Sequence, residues 1–244
     1  MGELPDLVPA LDSFRPDFRA LVWGASGGIG GAFVATLAAN PRIGEVMGAS
    51  RRAAAPWTFD LEDEDSIAAV AKAASADGPL DLVLVATGVL LPNPEKTWRQ
   101  LDSSALARAY AINAIGPALI AKHTLGSLRR DSKAVFACIS ARVGSIDDNR
   151  LGGWHAYRAS KAALNMLVRN WAIELRQRNP SAVCIALHPG TVDTALSRPF
   201  QSAVDPTRLQ SPVVSVRRML TTINALGAAD SGKLWAYDGS LIAF

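Results

Sequence analysis

Tyr157 and Lys161 stand four residues apart in the stretch WHAYRASKAALNML, and on a helix that spacing places both side chains on one face. A free tyrosine titrates near pH ~10, which is too high for easy proton exchange at neutral pH. A neighbouring ammonium favours the phenolate, so we expect Lys161 to lower the pKa of Tyr157 and to let the phenol exchange a proton with a reacting oxygen. The same spacing also occurs on ordinary amphipathic helices, so a chemical role depends on partners from other parts of the chain.

A glycine-rich loop near the start of the chain predicts a phosphate-binding site. It follows the apolar run RALVW and precedes the run GGIGGAFVATLAAN, so a strand leads through it into a helix. Glycines let the backbone approach a pyrophosphate, and the helix presents its positive N-terminus to that group. The spacing is Gly-x-x-x-Gly-x-Gly rather than the commoner Gly-x-Gly-x-x-Gly, and the alternative is a plain glycine-rich turn. The expected contacts come from Gly24, Ser26, Gly27, Gly28, Ile29 and Gly30.

Two arginines indicate which nicotinamide cofactor such a loop would serve. In NAD-binding domains, an acidic residue roughly 20 positions further on binds the ribose hydroxyls. Here Arg51 and Arg52 end the second strand, and no acid stands beside them. A guanidinium pairs with a 2′-phosphate and stacks on adenine, so the two arginines favour NADP over NAD. The alternative is that both arginines are solvated in a loop.

Asp60 and Leu61 close the run PWTFDL, which we expect to be the third strand. At the end of a parallel strand they would contact the adenine edge of the cofactor. The alternative is that Asp60 caps the helix that begins near EDSI, since an aspartate oxygen accepts hydrogen bonds from the first amides of a helix.

Polar or glycine-rich groups follow three further strands. LDLVLV runs into Ala86-Thr87-Gly88, KAVFACI ends at Ser140, and AVCIAL runs into His188-Pro189-Gly190-Thr191-Val192-Asp193-Thr194. The carboxyl ends of parallel strands meet at one edge of the sheet, where such folds bind ligands. Tyr157 enters its helix 17 residues after Ser140. We therefore expect all these groups to face one crevice.

The elements that position these residues form an α/β pattern. Strands rich in Val, Ile and Leu without polar alternation are typical of a sheet buried on both faces. Because they alternate with helical patterns, we expect one doubly wound parallel sheet flanked by helices. Residues 19–244 form a single domain in this interpretation, and residues 1–18 are an N-terminal extension, either a tail or an interface strap. Helices are expected near 102–130, 155–178 and 212–226, and a last strand at KLWAYDG.

Composition excludes several classes of function. The 244 residues are 49% hydrophobic and 19% charged, so the chain can bury a large core. The net charge is only +3, and the basic residues are scattered, which argues against a nucleic-acid partner. Cys138 and Cys184 lie inside apolar runs, as buried hydrophobes of a reducing compartment do, and three isolated histidines give no metal spacing. We find no apolar stretch long enough to span a bilayer, and expect a cytoplasmic protein without a metal or membrane partner.

Together these motifs resemble the short-chain dehydrogenase/reductase family over nearly the whole chain. The stretches SARVGSIDDNRLGGWHAYRASKAALNML, LHPGTVDT and WAYDGSLIAF are similar to its C-factor-like (cell-cell signalling) branch. The resemblance implies a single Rossmann-type NAD(P)-binding domain and a nicotinamide cofactor. It rests on the Gly24–Gly30 loop and on Asp60, Gly88, Asn113, Ser140, Tyr157, Lys161, Pro189 and Gly190.

The resemblance also implies a catalytic tetrad with a role for each member. Tyr157 would give a proton to the nascent alkoxide as hydride reaches a carbonyl carbon, and Lys161 would also hold the nicotinamide ribose. Ser140 would donate a hydrogen bond to the substrate oxygen, and Asn113 would hold a water that links Lys161 to solvent. Further cofactor contacts are expected from Asp60, Leu61, Ala86, Thr87, Gly88, Pro189, Gly190, Val192 and Thr194.

Some residues depart from the family pattern. Trp23 stands where threonine is usual, and Val85-Ala86-Thr87-Gly88 replaces the usual Asn-Asn-Ala-Gly. These changes concern strand support and cofactor packing rather than proton chemistry. The interval between Ser140 and Tyr157 is longer than usual, and the insertion DDNRLGG is expected to reshape the substrate rim. Arg142, Trp154 and His155 are candidate pocket residues, with a structural or solvent-facing role as the alternative.

These features lead to an NADP(H)-dependent carbonyl reductase or alcohol dehydrogenase that acts on a small molecule. The alternative is a nucleotide-binding signalling or scaffold protein of the same fold with little turnover. The long helices near 103–130 and 155–178 are expected to form a homodimer or homotetramer. Apolar residues beyond those that one sheet face needs support this expectation, among them Leu167, Trp171 and Leu175.

Overall fold

The computed structural model describes residues 9–203 and 205–244. Its strands are β1 (Phe18–Trp23), β2 (Ile43–Ala49), β3 (Leu82–Val85), β4 (Ala134–Ile139), β5 (Ala182–His188), β6 (Thr191–Val192), β7 (Leu209–Gln210), β8 (Leu234–Ala236) and β9 (Leu241–Ile242). Its α-helices are α1 (Gly28–Ala38), α2 (Glu64–Ser75), α3 (Ser103–Tyr110), α4 (Gly116–Thr124), α5 (His155–Arg178) and α6 (Pro212–Ala225).

Seven strands form one central sheet in the order β2-β1-β3-β4-β5-β8-β9. All neighbours pair in parallel except β8 and β9, which are antiparallel. The order reverses at β1, which lies between β2 and β3, as in a doubly wound sheet whose ligands bind beyond the carboxyl ends of the strands. The predicted α/β fold is therefore confirmed.

Helices cover both faces of this sheet. Alternate strand residues such as Leu21 and Val83 pack on the face that carries α2, α4 and α5. Their neighbours, such as Val22 and Leu84, pack on the face that carries α1 and α6. Because both faces are buried, β3 and β4 consist entirely of buried residues, which explains their uninterrupted apolar sequences.

The run PWTFDL was expected to be a strand, and this prediction is wrong. Residues 56–61 form turns beyond the end of β2, where the Trp57 carbonyl accepts a hydrogen bond from Ser50 N at 3.0 Å. Thr58 Oγ1 donates to the Ala53 carbonyl, and Pro56 has no amide proton to offer a ladder. Phe59 packs edge-on against Trp23, with ring centroids 4.8 Å apart. Its apolar character therefore reflects core packing rather than sheet pairing.

The long helical region expected from residue 102 onward is present but interrupted. A π-helical turn over Ala111–Ile115 separates α3 from α4, and a 3₁₀ turn over Leu125–Ser127 ends the run. A π-helical turn inserts an extra residue into a helix and occurs often at functional sites. Here the turn carries Asn113, which is fully buried.

The same helical region bears on the expectation that no apolar stretch could span a membrane. By length and composition alone, the helical run Ser103–Ser127 is long and apolar enough to cross a membrane, since an 18-residue window within it has a mean hydropathy of 1.2. The expectation was therefore wrong by that measure. Ile120 and Ala121 of this run are fully buried in the core beside the sheet, and core helices pass the same test.

The extension ahead of β1 falls partly in the described chain. Leu11 and Phe14 are buried against the α1 and α6 face, and Phe14 stacks on Phe18 with ring centroids 5.0 Å apart. Ser13 Oγ donates to Asn224 Oδ1 at 2.7 Å. Residues 9–17 are thus anchored to the core through Leu11 and Phe14 and are not a free tail, whereas residues 1–8 lie outside the described residues.

Candidate active site

A cavity of about 990 Å³ opens at the carboxyl ends of the strands. This volume is at the upper end of the range usual for small-molecule and cofactor sites. Its walls come from the loops that follow β1, β2, β3, β4 and β5 and from the first turns of α5. Of the predicted site residues, it is lined by Ser26, Gly27, Gly28, Ile29, Arg51, Arg52, Ala86, Thr87, Gly88, Ser140, Tyr157, Lys161, Pro189, Gly190, Val192 and Thr194.

Two glycines of the first loop act through the backbone and do not line the cavity. Gly24 has φ 86°, which glycine adopts freely, and a Cβ there would lie 2.9 Å from the Ala86 carbonyl oxygen. A Cβ on Gly30 would lie 2.2 Å from the Gly24 carbonyl oxygen. Glycine at both positions lets the start of α1 pack tightly on the loop, and that packing brings Gly27 and Gly28 to the cavity.

The loop after β5 closes against the same helix. A Cβ on Gly28 would lie 2.8 Å from Thr194 Cγ2, so these two residues are in close approach. Gly190 has φ 78°, and a Cβ there would lie 2.4 Å from Gln210 Nε2. The Pro189-Gly190 turn therefore brings Val192 and Thr194 to the cavity that the glycine-rich loop also lines.

Arg51 and Arg52 lie at the cavity, and both are exposed. Among the residues that the structure describes, neither guanidinium has a carboxylate partner. Thr87 Oγ1 lies buried at the same cavity and lacks a hydrogen-bond partner among the described residues. The cavity thus offers two free cations and one unsatisfied hydroxyl beside a glycine-rich helix N-terminus. A phosphorylated dinucleotide fits such a set of groups.

Asp60 and Leu61 do not line the cavity. Asp60 Oδ1 accepts a hydrogen bond from Glu62 N at 3.0 Å, and Leu61 packs on Gly116. The alternative role of Asp60 as the cap of α2 is also wrong, because Asp63 accepts from Asp65 N and Ser66 N. The turn over residues 56–61 explains why neither residue reaches the cavity. It directs Asp60 at the segment before α2 and Leu61 at α4.

Tyr157 and Lys161 share one face of α5 and both reach the cavity, as their spacing predicts. The Lys161 ammonium lies 5.9 Å from the centroid of the Tyr157 ring. Burial raises the pKa of Tyr157 to about 12. The expected lowering by Lys161 is therefore wrong for the protein without cofactor, because loss of solvation is what shifts this phenol.

Lys161 is almost fully buried, and its Nζ donates to the Ile139 carbonyl oxygen at 2.9 Å. Burial lowers the pKa of its ammonium to about 8. A charged amine with a single backbone acceptor has unused donors, since an ammonium carries three. Those donors are free for a ligand in the cavity.

Ser140 directly follows β4 and is held by Asn165, a residue that was not predicted from the sequence. Its hydroxyl donates to Asn165 Oδ1 at 2.7 Å, and Asn165 Nδ2 donates to the Gly144 carbonyl at 3.2 Å. Asn165 follows Tyr157 and Lys161 on the same helical face, at steps of four residues. That continued spacing was the available signal. Asn165 thus fixes the rotamer of Ser140 within the cavity wall.

Asn113 does not line the cavity but adjoins Lys161. A Cβ on Gly88 would lie 3.4 Å from both Asn113 Oδ1 and Lys161 Nζ, so both side chains adjoin this glycine. Asn113 Oδ1 accepts from Val89 N at 2.8 Å, and Nδ2 donates to Val89 O at 2.9 Å. Asn113 therefore ties the loop after β3 to the π turn, and its water-holding role stays a prediction.

Of the candidate rim residues, Arg142 and Trp154 line the cavity and His155 does not. His188, at the end of β5, also lines the cavity, as its place after a strand predicts. Phe200, in the irregular stretch before α6, is among the lining residues that escaped prediction. Burial lowers the pKa of His188 to about 4, so its imidazole is neutral at neutral pH. No local pattern marked Phe200, because only the folded loop brings it to the cavity.

Comparison with known proteins relates this geometry to a family. The profile that describes short chain dehydrogenases matches residues 19–205. The C-signal of Myxococcus xanthus is 36% identical over 166 residues, which cover 67% of this chain and 92% of that protein. A 1-hydroxy-2-glutathionyl-2-methyl-3-butene dehydrogenase of Rhodococcus sp. (strain AD45) is 29% identical over 184 residues, which cover 75% of this chain and 77% of that protein.

Solved structures agree with the fold over almost all of the chain. An NADPH-bound carbonyl reductase from chicken fatty liver has a TM-score of 0.80 at 26% identity, covering 99% of this chain and all of that one. The carbonyl reductase Sniffer of D. melanogaster has the same fold, with a TM-score of 0.80 at 22% identity over 94% of this chain and 100% of that one. The chain is an oxidoreductase of Rossmann-type fold and belongs to the short-chain dehydrogenase family, with C-signal-like features.

Proposed function

We propose that this protein is an NADPH-dependent reductase of small carbonyl compounds, or a dehydrogenase of the corresponding alcohols. The observation that carries the proposal is that Ser140, Tyr157 and Lys161 line one cavity together with a glycine-rich loop and two arginines that have no carboxylate partner in the described part of the chain. Proton-donating groups and phosphate-binding groups thus share a single site. Such a combination suits hydride transfer coupled to proton transfer.

The cofactor would lie with its diphosphate at Gly27 and Gly28, where the N-terminus of α1 faces the cavity. Arg51 and Arg52 would pair with the 2′-phosphate, which supports NADP over NAD. When bound, a reduced nicotinamide supplies the hydride. Free donors on Lys161 would hold the nicotinamide ribose, and the main chain near Val192 would hold the nicotinamide end.

Tyr157 is protonated at neutral pH, as the reductive direction requires, and burial makes the phenol a weaker acid than free tyrosine. With a pKa of about 12, its phenol carries its proton at neutral pH, so the group is ready to donate. In the reduction, hydride adds to the carbonyl carbon, the C=O π electrons move to oxygen, and the Tyr157 proton goes to that oxygen. Ser140 has a single hydroxyl proton, which Asn165 Oδ1 accepts here, so Ser140 would stabilise the substrate oxygen by turning that proton from Asn165 to it.

The similarity to C-signal keeps a second function in view, a nucleotide-binding signalling protein with little turnover. A pure binder does not need Tyr157 beside Ser140 at the cavity, so the arrangement favours the enzyme. A cofactor titration alone does not separate these functions, because both bind the nucleotide. Turnover does.

The experiment is NADPH consumption with a panel of small aldehydes, ketones and diketones. Tyr157→Phe keeps the ring and removes the acid, so the single-turnover rate should fall about 10²–10⁴-fold while NADPH binding survives. Tyr110→Phe, which removes the same hydroxyl from a tyrosine on α3 that does not line the cavity, is the matched control. No turnover of any substrate, or an unimpaired Tyr157→Phe enzyme, would overturn the assignment.

We also propose a cytoplasmic homo-oligomer. The location is supported by Cys138 and Cys184, both free and buried. The assembly is supported by exposed apolar side chains on α5, of which Met166 is 62% and Ile173 45% exposed. They differ by seven positions and so share one helical face. Of the residues first considered, Leu175 is already buried in the core, so Met166 and Ile173 are better candidates for the interface.

A further inference from the structure

Three aromatic rings lie in succession along the cavity. The Trp154 ring centroid is 6.3 Å from that of Tyr157 and 5.2 Å from that of Phe200, and all three residues line the cavity. The rings are inclined at 66° and 55°, so they present edges and faces rather than one flat stack. The surface beside the proton-donating phenol is therefore aromatic.

Trp154 reaches this place through an unfavourable backbone. It precedes α5 with φ 51° and ψ 43°, directly after Gly152 and Gly153, both of which have φ 64°. Glycine adopts that conformation freely, whereas a large aromatic residue is strained in it. Glu95 holds the strained residue with both its main chain and its side chain. Trp154 N donates to the Glu95 carbonyl, and Ala156 N donates to the Glu95 carboxylate. Strained residues of this kind cluster at ligand sites.

Phe200 is also held in place. It lies in the 3₁₀ segment Arg198–Ala203, and its amide donates to the Ser197 carbonyl at 2.8 Å. Gln201 Nε2 donates to Asp193 Oδ1 at 3.0 Å, which ties the segment to the loop after β5. The second ring of the surface thus rests on residues that adjoin the proposed cofactor site.

Of the charged side chains that line the cavity, Lys161 adjoins the Tyr157 ring, and its donors are assigned to the nicotinamide ribose. Arg142 is paired with Asp148 at 3.2 Å, and the His188 imidazole is neutral at neutral pH. Leu90, Val143 and Leu196 add further apolar side chains to the lining. An uncharged apolar group therefore suits this part of the cavity better than a carboxylate or a phosphate does.

We propose that Trp154 and Phe200 form an aromatic wall that selects carbonyl substrates bearing a planar apolar group next to the carbonyl carbon. The inference rests on the proposed reductase function and adds the substrate class and the residues that determine it. A planar group gains contact with both rings and directs its carbonyl at Tyr157, whereas a methyl group touches the wall only slightly. Selectivity thus arises from the surface beside the acid and not from the acid itself.

The test compares 1-phenyl-1,2-propanedione with 2,3-butanedione, which differ by a phenyl group in place of a methyl group. The ratio of their kcat/KM values should exceed one in the wild type and fall at least about tenfold in Trp154→Ala, the usual range for a lost apolar contact. Trp154→Phe keeps an aromatic ring and should retain most of the ratio. Trp98→Ala is the matched control, because Trp98 is 64% exposed and does not line the cavity.

A second readout is independent of turnover. Calorimetry measures the dissociation constants of both diketones on the enzyme saturated with NADP⁺, where no reduction occurs. If the wild type binds the phenyl compound more tightly and Trp154→Ala loses this preference, the aromatic wall is supported. This holds even if the wild type reduces neither diketone, and in that case only the reductase function fails. Equal binding of the two compounds by the wild type, or an unchanged preference in Trp154→Ala, overturns the wall.

Discussion

Lys161 leads to a quantitative prediction about stability and pH. Its ammonium loses solvation on burial, and the surrounding chain compensates for only part of that loss. Its side chain is 3% exposed and its ammonium has one hydrogen bond, to the Ile139 carbonyl. Burial lowers its pKa from 10.5 to about 8. That change corresponds to roughly 3 kcal/mol against the charged form in the folded protein. The protein without cofactor should therefore be destabilised by its own lysine at neutral pH.

The sign follows from proton binding in the two states. Between pH 8 and 10.5 the unfolded chain holds the Lys161 proton and the folded chain does not, so stability rises with pH in that window. Below pH 8 both states are protonated and the full penalty applies. From pH 7 to about pH 9.5, the wild type should gain about 2 kcal/mol of unfolding free energy relative to Lys161→Met, which cannot titrate.

Urea unfolding at several pH values measures this difference. Titrating groups that do not adjoin Lys161, such as Lys133, cancel in the comparison. Tyr157 adjoins Lys161, so both proteins are compared with Tyr157→Phe in place. Lys72→Met, which changes an exposed side chain on α2, is the control for the substitution itself. Stability curves that run parallel for the wild type and Lys161→Met would refute the reasoning, and so would a wild type that weakens relative to the variant as pH rises.

Three further predictions concern the cofactor, the assembly and the strained backbone. Replacing Arg51 and Arg52 together by Ala should weaken NADPH binding at least about tenfold and change NADH binding little, since only NADPH carries the 2′-phosphate; equal losses in a calorimetric titration would contradict this. Met166→Lys with Ile173→Lys should convert the oligomer into a 25.8 kDa monomer in light scattering, and a monomeric wild type at micromolar concentration would contradict the interface. Trp154→Gly should exceed Trp154→Ala in stability by about 1 kcal/mol, because alanine keeps the strain at φ 51° and glycine relieves it. Thermal unfolding decides this, and an alanine variant as stable as the glycine variant would show that the position is unstrained.

Local rules were sufficient to locate most of the site. Helix periodicity predicts that Tyr157 and Lys161 share one face, because they are four residues apart. The end of an apolar strand likewise predicts the position of Ser140. The parallel sheet then places the ends of its strands together, so the convergence at one cavity was predictable. The glycine-rich loop was equally recognisable, because glycine is required there by the close approach of the backbone.

The remaining features depend on long-range packing. PWTFDL has the composition of a strand, but in the fold it forms turns after β2 that pack Phe59 against the core. No local signal distinguishes a strand from such a packed turn. The pKa of Tyr157 depends on how completely the fold buries the phenol, which spacing does not reveal. Phe200 and Asn165 acquire their roles only when separate segments meet.

The packing of residues 9–17 constrains how the chain can fold during synthesis. Ser13 bonds to Asn224, 211 positions away, and Lys133 Nζ donates to Ser13 Oγ and to the Asn224 carbonyl. Phe14 packs in the same cluster as residues of α6. Until the ribosome has released α6, Leu11 and Phe14 have no complete apolar surface to cover them. The nascent chain therefore carries these two apolar side chains incompletely covered for most of its elongation, and transiently exposed apolar surface of this kind favours aggregation before the domain closes.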